Sequence, residues 1–523
     1  MLFTGATALL ILFALLIVIR RRYFHPLSHV PGPFLWSVSS FPVLYHQGIE
    51  EGQLMHILPA LHEQYGPVVR IGPNEVHLSN PSNYDKVYSV GYKFSKDPDF
   101  YGPMEGPLKT PIILTILSAK EHQIRRSYLN PFFSRRSVLD MEHVVRDKTG
   151  KLLHLLKSSL VSAGVFDAHH AIRAFSVDVI TEYAYARCWN QMDQGDWGAG
   201  YQLAIQDVQL FFPWLQTFPF LVPLFGLIPD WVNTMVFPPF KKWYDSLTIV
   251  RAAVTEVRKE ISLGIKPARR TIFHELMDPA PLDAPEFGSK TREPLSDLSI
   301  FADAVNVTGA GAETTGSTAG RGIFEVLSNP EVHLKLSGEL VNAFPNPEDI
   351  DLLSLEKLPY LRGVIKEALR LNPGLPGHLP RVVPSSGATF DDVALPPGTV
   401  VSMSAWLMHH DAAIFGPDPT TFDPERWVNE SNMKEVEDRI WAQEKCLVAF
   451  GRGSRNCLGQ AVAMCELFYT IGTVFRHFPP GSIDVHPEFS REDLQLTELL
   501  LGYHPRKARK FKIVSGRNLA VVN

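Results

Sequence analysis

The chain has 523 residues, enough to bury a large core, with 45% hydrophobic residues, 20% charged residues and a formal net charge of −5. So small a charge, with no long basic run beyond Arg20-Arg21-Arg22, gives no reason to expect a nucleic-acid partner. Four cysteines (Cys188, Cys446, Cys457 and Cys465) without a CxxC pair exclude a disulfide framework and fit a reducing compartment, where a special cysteine acts through its thiolate.

The chain opens on an uncharged apolar run, Leu2 to Ile19, which as a helix approaches the roughly 30 Å hydrocarbon core of a bilayer. A cleaved signal peptide carries positive charge before such a run and small residues after it; here Arg20-Arg21-Arg22 and bulky Tyr23-Phe24 follow. Residues 1–22 therefore read as a single-pass membrane anchor, with everything after residue 22 cytosolic by the positive-inside rule. Pro31-Gly32-Pro33 stiffens a hinge over 23–40, and 41–523 form the body.

The stretch Val68 to Ser79 reads as two short β runs around Gly72-Pro73-Asn74. From Ser118 the pattern turns helical, with a capping box at Ser118 and Glu121 and a stop at Asn130-Pro131; residues 135–210 keep helical spacing. Residues 211–240 alternate aromatics with prolines and cannot make one continuous spanning helix. They read either as a loop-rich part of the core or as a pair of short helices on the bilayer at the mouth of a hydrophobic channel. Residues 278–294 read as a Pro-rich surface connection. A long helix is expected from near Ser296 to Asn329-Pro330 and a second from Leu355 to Leu371. Short strands follow around Arg381–Val383 and Val400–Ser404, and a last strong helix begins just after Cys457. The fold class is mainly α with small β-sheets.

The most informative stretch is Phe450-Gly451-Arg452-Gly453-Ser454-Arg455-Asn456-Cys457-Leu458-Gly459, one thiol on a glycine-rich turn at the start of a helix. Glycines admit positive φ and let a flat partner come close. The free N–H groups and positive end of the helix favour a thiolate, and Arg455 adds a cation two residues away. Cys188, Cys446 and Cys465 read as structural, as do the adjacent pairs His169-His170 and His409-His410, which lack metal-ligand spacing.

This segment resembles the haem-binding loop of the cytochrome P-450 superfamily, FxxGxRxCxG, with Phe450, Gly453, Arg455, Cys457 and Gly459 all in place. The resemblance implies a triangular-prism helical fold and haem b, with Cys457 as the axial ligand of the iron, Phe450 and Gly459 beside it and Arg455 on a propionate. Glu367-Ala368-Leu369-Arg370 resembles the family's ExxR pair, and Pro424-Glu425-Arg426-Trp427 its PERF segment with Trp in the last place. Glu367, Arg370 and Arg426 would then form a buried triad supporting the haem loop. Ala310-Gly311-Ala312-Glu313-Thr314-Thr315 is similar to the oxygen-activation motif, which makes Glu313 and Thr314 the expected proton relay. A dinucleotide loop starting at Gly309 fails, because Thr314 takes the third glycine's place and no strand precedes it. His122-Gln123-Ile124-Arg125-Arg126 resembles the WxxxR helix with His122 replacing Trp, so His122 and Arg126 join Arg381 as expected propionate contacts.

Asp303, Asn306, Val307 and Ala310 share a helical face with Thr314 and are candidate substrate contacts, together with Leu375 and Leu499 in segments that line the pocket of relatives. The phrases YGPVVRIGPNEVHLS, RRSYLNPFFSRR and LPRVVP resemble the trichodiene-oxygenase group of filamentous-fungal secondary metabolism. The implied reaction puts one oxygen atom from O2 into a lipophilic metabolite, first a terpenoid, second a polyketide or alkaloid. Electrons would come from NADPH through a separate NADPH–cytochrome reductase, since no flavin or dinucleotide fingerprint occurs, at the endoplasmic reticulum membrane. The rivals are a haem-thiolate isomerase or dehydratase that needs no reductase, and a non-catalytic haem-binding protein. The first class often loses the acid–threonine pair that Glu313-Thr314 keeps.

Overall fold

The computed structural model describes residues 2–517 apart from 92, 109, 237, 238, 266, 268, 280–294 and 430–432, so the Pro-rich connection lies almost wholly outside the described residues. Helices dominate, and the strands gather in small sheets. The main sheet contains β1 (Val68–Arg70), β2 (Glu75–Leu78), β3 (Ser95–Lys96), β4 (Arg381–Val382) and β5 (Val400–Ser402), in the order β1-β2-β5-β4-β3. β1 and β2 make the expected hairpin, with Val68 opposite Leu78. β2 runs parallel to β5, while β4 is antiparallel to both β5 and β3. That register sets Lys96 directly opposite Arg381, two cations on neighbouring strands.

The helix Ala119–Leu129 starts at the expected place with half of the expected capping box, the Ser118 hydroxyl accepting from the Glu121 N–H at 3.3 Å. The helical spacing of 135–210 resolves into Arg135–Asp140, Glu142–Ala163, Ala168–Tyr185 and Ala199–Gln209. The long helix spans Asp297–Leu327, capped by Ser296, and packs along Ala168–Tyr185 and Gln460–His477. Small residues bring it close to the former. A Cβ built on Gly311 would lie 2.6 Å from Ile180, and one on Gly316 only 2.9 Å from the Cα of Arg173.

Two element boundaries differ from the sequence reading. The helix expected from Leu355 begins at Pro359, because proline has no N–H and its ring fits only the first turn; a separate short turn covers Leu352–Leu355. Residues 211–240 give three short helices rather than two, Phe212–Thr217, Leu221–Leu227 and Asp230–Val236. Trp214, Phe220, Leu224, Leu227, Trp231 and Met235 are exposed along them.

At the N-terminus, Leu2–Tyr23 is helical and its side chains from Leu9 to Leu16 are largely exposed. Among the described residues no helix is long and apolar enough to cross a membrane.

Candidate functional site

The loop before Gln460–His477 is held by its own backbone. The Cys457 N–H donates to the Phe450 carbonyl at 2.8 Å and the Gly451 N–H to that of Val448 at 2.8 Å. Gly451 and Gly453 have φ of 64° and 71°, and a Cβ on Gly453 would come within 2.3 Å of the Tyr88 carbonyl oxygen. Of the four cysteines, only Cys457 is exposed. Its thiol is nevertheless enclosed by protein: burial pushes its pKa up, while a hydrogen bond from the Gly459 N–H and the Arg126 cation pull it down. Phe450 and Leu458 pack against the main core beside it.

A cluster of cations faces the loop. Arg381 is buried, donates to the Tyr101 hydroxyl at 2.8 Å and lies 5.1 Å over the Tyr88 ring. Arg455 donates to the carbonyls of Ile116 at 2.6 Å and Leu117 at 3.1 Å. Arg126 donates to Asn456, at 2.8 and 2.7 Å, to Ser454 and to Asn130, bracing the cysteine loop with four of its five N–H groups. His122 is buried, and burial with Arg455, Lys96 and Arg126 takes its pKa down to about 3, keeping the ring neutral.

The fourth cation, Lys96, is absent from the motif reading. It is buried, donates to the Leu114 carbonyl and sits 4.3 Å over the Tyr101 ring. Burial, Arg381 and Arg455 hold its pKa well below the usual lysine value. Among the described residues no carboxylate lies within ion-pair distance of Lys96, Arg126, Arg381 or Arg455. Their acceptors are neutral, which leaves positive charge uncompensated.

On the long helix the expected relay pair diverges. The Glu313 carboxylate is buried and pairs with Arg173, Nε to Oε1 at 2.7 Å; burial pushes its pKa up and Arg173 opposes that. Behind it lies a small polar cavity lined by His169, His170, Arg173, Gln202, His504 and Lys510 among others. Thr314 points elsewhere. Its hydroxyl donates to the Ala310 carbonyl at 2.9 Å, and a Cβ on Gly374 would lie 2.9 Å from the Thr314 Cβ and Cγ2. Ala310 is exposed in the middle of an otherwise buried helix, and Asn306 is half-buried.

Asp303, expected on the same face, is committed: its carboxylate pairs with Arg125 and accepts the Ile113 N–H at 3.2 Å, tying the 111–117 segment to the helix. Val307 is buried in the main core. Leu375 and Leu499 come together in one apolar cluster with Ile205, Leu501, Tyr503 and Trp243. The segments that carry them are also bridged by His378, whose Nδ1 lies 2.5 Å from Glu498.

Glu367 collects donors. Arg370 gives it two hydrogen bonds of 2.7 Å, the Asp423 N–H one of 3.0 Å, and Arg426 Nε lies 3.5 Å away. Trp427 adds its indole N–H at 2.8 Å, a donor that phenylalanine at that position lacks.

A protein-family model described as "Cytochrome P450" matches residues 30–507. The chain is similar to cytochrome P450 monooxygenase MO6277 of Ascocoryne sarcoides, 33% identical over 93% of this chain and 93% of the relative. It is 30% identical to cytochrome P450 monooxygenase TRI4 of Trichoderma arundinaceum, over 93% and 90%. Tryptophan 6-hydroxylase fscE of Fusarium equiseti is 31% identical over 88% and 87%.

Proposed function

The chain belongs to the cytochrome P450 family, and from that membership we propose that it hydroxylates or epoxidises a lipophilic secondary metabolite. The observation that carries the reading is an exposed Cys457 whose loop adjoins a cluster of four cations, none of them paired with a carboxylate among the described residues. This donor set fits haem: sulfur for the iron, and Lys96, Arg126, Arg381 and Arg455 for its two carboxylates. Phe450 and Gly459 pack by the ligand, His122 adds a neutral ring, and the Glu367, Arg370 and Arg426 triad holds the loop from behind. When bound, the haem-thiolate group supplies dioxygen activation.

The chain's own residues manage protons and substrate. The Thr314 hydroxyl, anchored on Ala310, keeps lone pairs free to accept from water in the pocket and to steer a proton from it. Glu313 stands behind it as the proton store, with Arg173 setting how readily its carboxyl takes one up. Because the two side chains face different ways, water or a turn of the Glu313 side chain must link them. Asn306, Val307, Ala310, Leu375 and Leu499 shape a mostly apolar pocket that orients substrate and sheds water.

Two electrons come from NADPH through a separate reductase. Residues 1–22 anchor the chain in the endoplasmic reticulum membrane, 23–40 form the hinge, and 41–523 make up the cytosolic catalytic domain. The exposed leucines of Leu2–Tyr23 and the exposed aromatics of 212–236 support contact with lipid. A terpenoid is the first substrate class. The tryptophan hydroxylase among the relatives favours an alkaloid-like aromatic as the second reading.

The test is turnover by membranes carrying the full chain, with and without reductase and NADPH, fed extracts labelled with heavy dioxygen and followed by mass spectrometry. One labelled oxygen per product, dependent on reductase and lost in Cys457→Ala, is the expected result. Product formation without reductase would instead place the protein among haem-thiolate isomerases or dehydratases.

A further inference from the structure

His409 belongs to an adjacent histidine pair that the sequence assigns to structure alone. It is fully buried. Its Nδ1 lies 2.9 Å from the Arg370 carbonyl oxygen and its Nε2 lies 2.9 Å from the Val448 N–H. A carbonyl only accepts and an N–H only donates, so the partners themselves dictate a neutral ring with the proton on Nδ1. Arg370 answers with its guanidinium, which donates to the His409 carbonyl at 3.0 Å, so the two residues hold each other. On the other side, the Val448 carbonyl accepts the Gly451 N–H, and the Phe450 carbonyl accepts the Cys457 N–H, both at 2.8 Å. A continuous chain of hydrogen bonds and short backbone spans thus runs from Glu367 through Arg370, His409 and Val448 to the sulfur-bearing turn.

We propose that His409 is a positioning residue that transmits the rigidity of the Glu367–Arg370 pair to the Cys457 loop through its Nε2 bond to Val448. This rests on the reading of Cys457 as the iron ligand. His409 touches neither substrate nor cofactor; it fixes where the loop begins. Without an acceptor at Nε2, the buried Val448 N–H has no partner and the loop loosens at its root.

The test uses the haem-loaded full chain, reduced under carbon monoxide, and times the conversion of the thiolate-type absorption band into its blue-shifted thiol-type form. His409→Asn keeps a donor for Arg370 and loses the acceptor for Val448, whereas His409→Gln extends an amide oxygen to Val448. Conversion roughly 10-fold faster in His409→Asn and His409→Phe, with haem content and helical circular dichroism unchanged, and rescue in His409→Gln, is the expected pattern. Equal rates in the Asn and Gln variants, or a wild-type rate in the Phe variant, overturn the proposal. If the Phe variant fails to fold, the Asn–Gln comparison decides alone. A wild-type protein without any thiolate-type band sinks the ligand assignment beneath it, a separate failure.

Discussion

Lys96→Met should act with opposite signs on the empty and the loaded protein. In the empty protein Lys96 is buried with one hydrogen bond to Leu114, and burial, Arg381 across the β3–β4 register and Arg455 all oppose its charged form. Methionine fills similar volume without charge. The lost hydrogen bond costs about 1 kcal/mol, and relief of desolvation and repulsion returns more, so the apoprotein should gain about 1–2 kcal/mol. In the loaded protein the Lys96 ammonium becomes one side of a charge-assisted bond worth about 1.5–3 kcal/mol, so haem should leave about 10- to 150-fold faster. Urea unfolding of the apoprotein reads the first effect, and transfer of haem to excess apo-globin reads the second. A variant less stable when empty, with unchanged haem loss, would refute the assignment and leave Lys96 a packing residue.

Glu367→Gln leaves the Arg370 guanidinium, with no exposed surface, without its anionic partner, and should cost about 3–5 kcal/mol in unfolding free energy, read from the shift of a denaturant midpoint. Arg173→Leu removes the cation that opposes burial at Glu313, so the carboxyl pKa rises further; the limb of the pH–rate profile assigned to that acid should move to higher pH, and an unmoved limb would dissociate Glu313 from turnover. Burial works against protonation of His378, yet Glu498 and Glu75 push its pKa from 6.5 up to about 9. A folded-state pKa above the unfolded one contributes stability that is fully present below pH 6.5 and is lost as pH rises through about 9. Melting temperature should therefore fall across that window, and the fall should flatten in His378→Gln.

What sequence could deliver depended on whether the signal was local. The Gly72-Pro73-Asn74 turn, the Ser118 cap and the start of the long helix at Ser296 are written in neighbouring residues, and all three stand. The cysteine loop was legible for the same reason, ten consecutive positions carrying glycines, a cation and the thiol. Lys96 was not, because a lone lysine after Phe94-Ser95 acquires meaning only when β3 pairs with β4 far along the chain. Trp427 departs from PERF in plain view, but its bond to Glu367 depends on a helix some sixty residues earlier. Asp303 lies on the long helix, and its commitment to Arg125 lies in tertiary packing that a helical wheel does not contain. His409 is the reverse case: its lack of metal-ligand spacing is local, but its bonds to Arg370 and Val448 join segments that only the fold brings together.

The missing side chain at Gly316 has a consequence for how this chain can drift. Arg173 lies so close to the long helix that even one methyl there must pry the two helices apart, and the guanidinium would retreat from Glu313 with its backbone. A change of volume at residue 316 would thus surface as a change in proton affinity three residues away. Steric mutation and electrostatic tuning share a single knob at this spot, and selection on either constrains both.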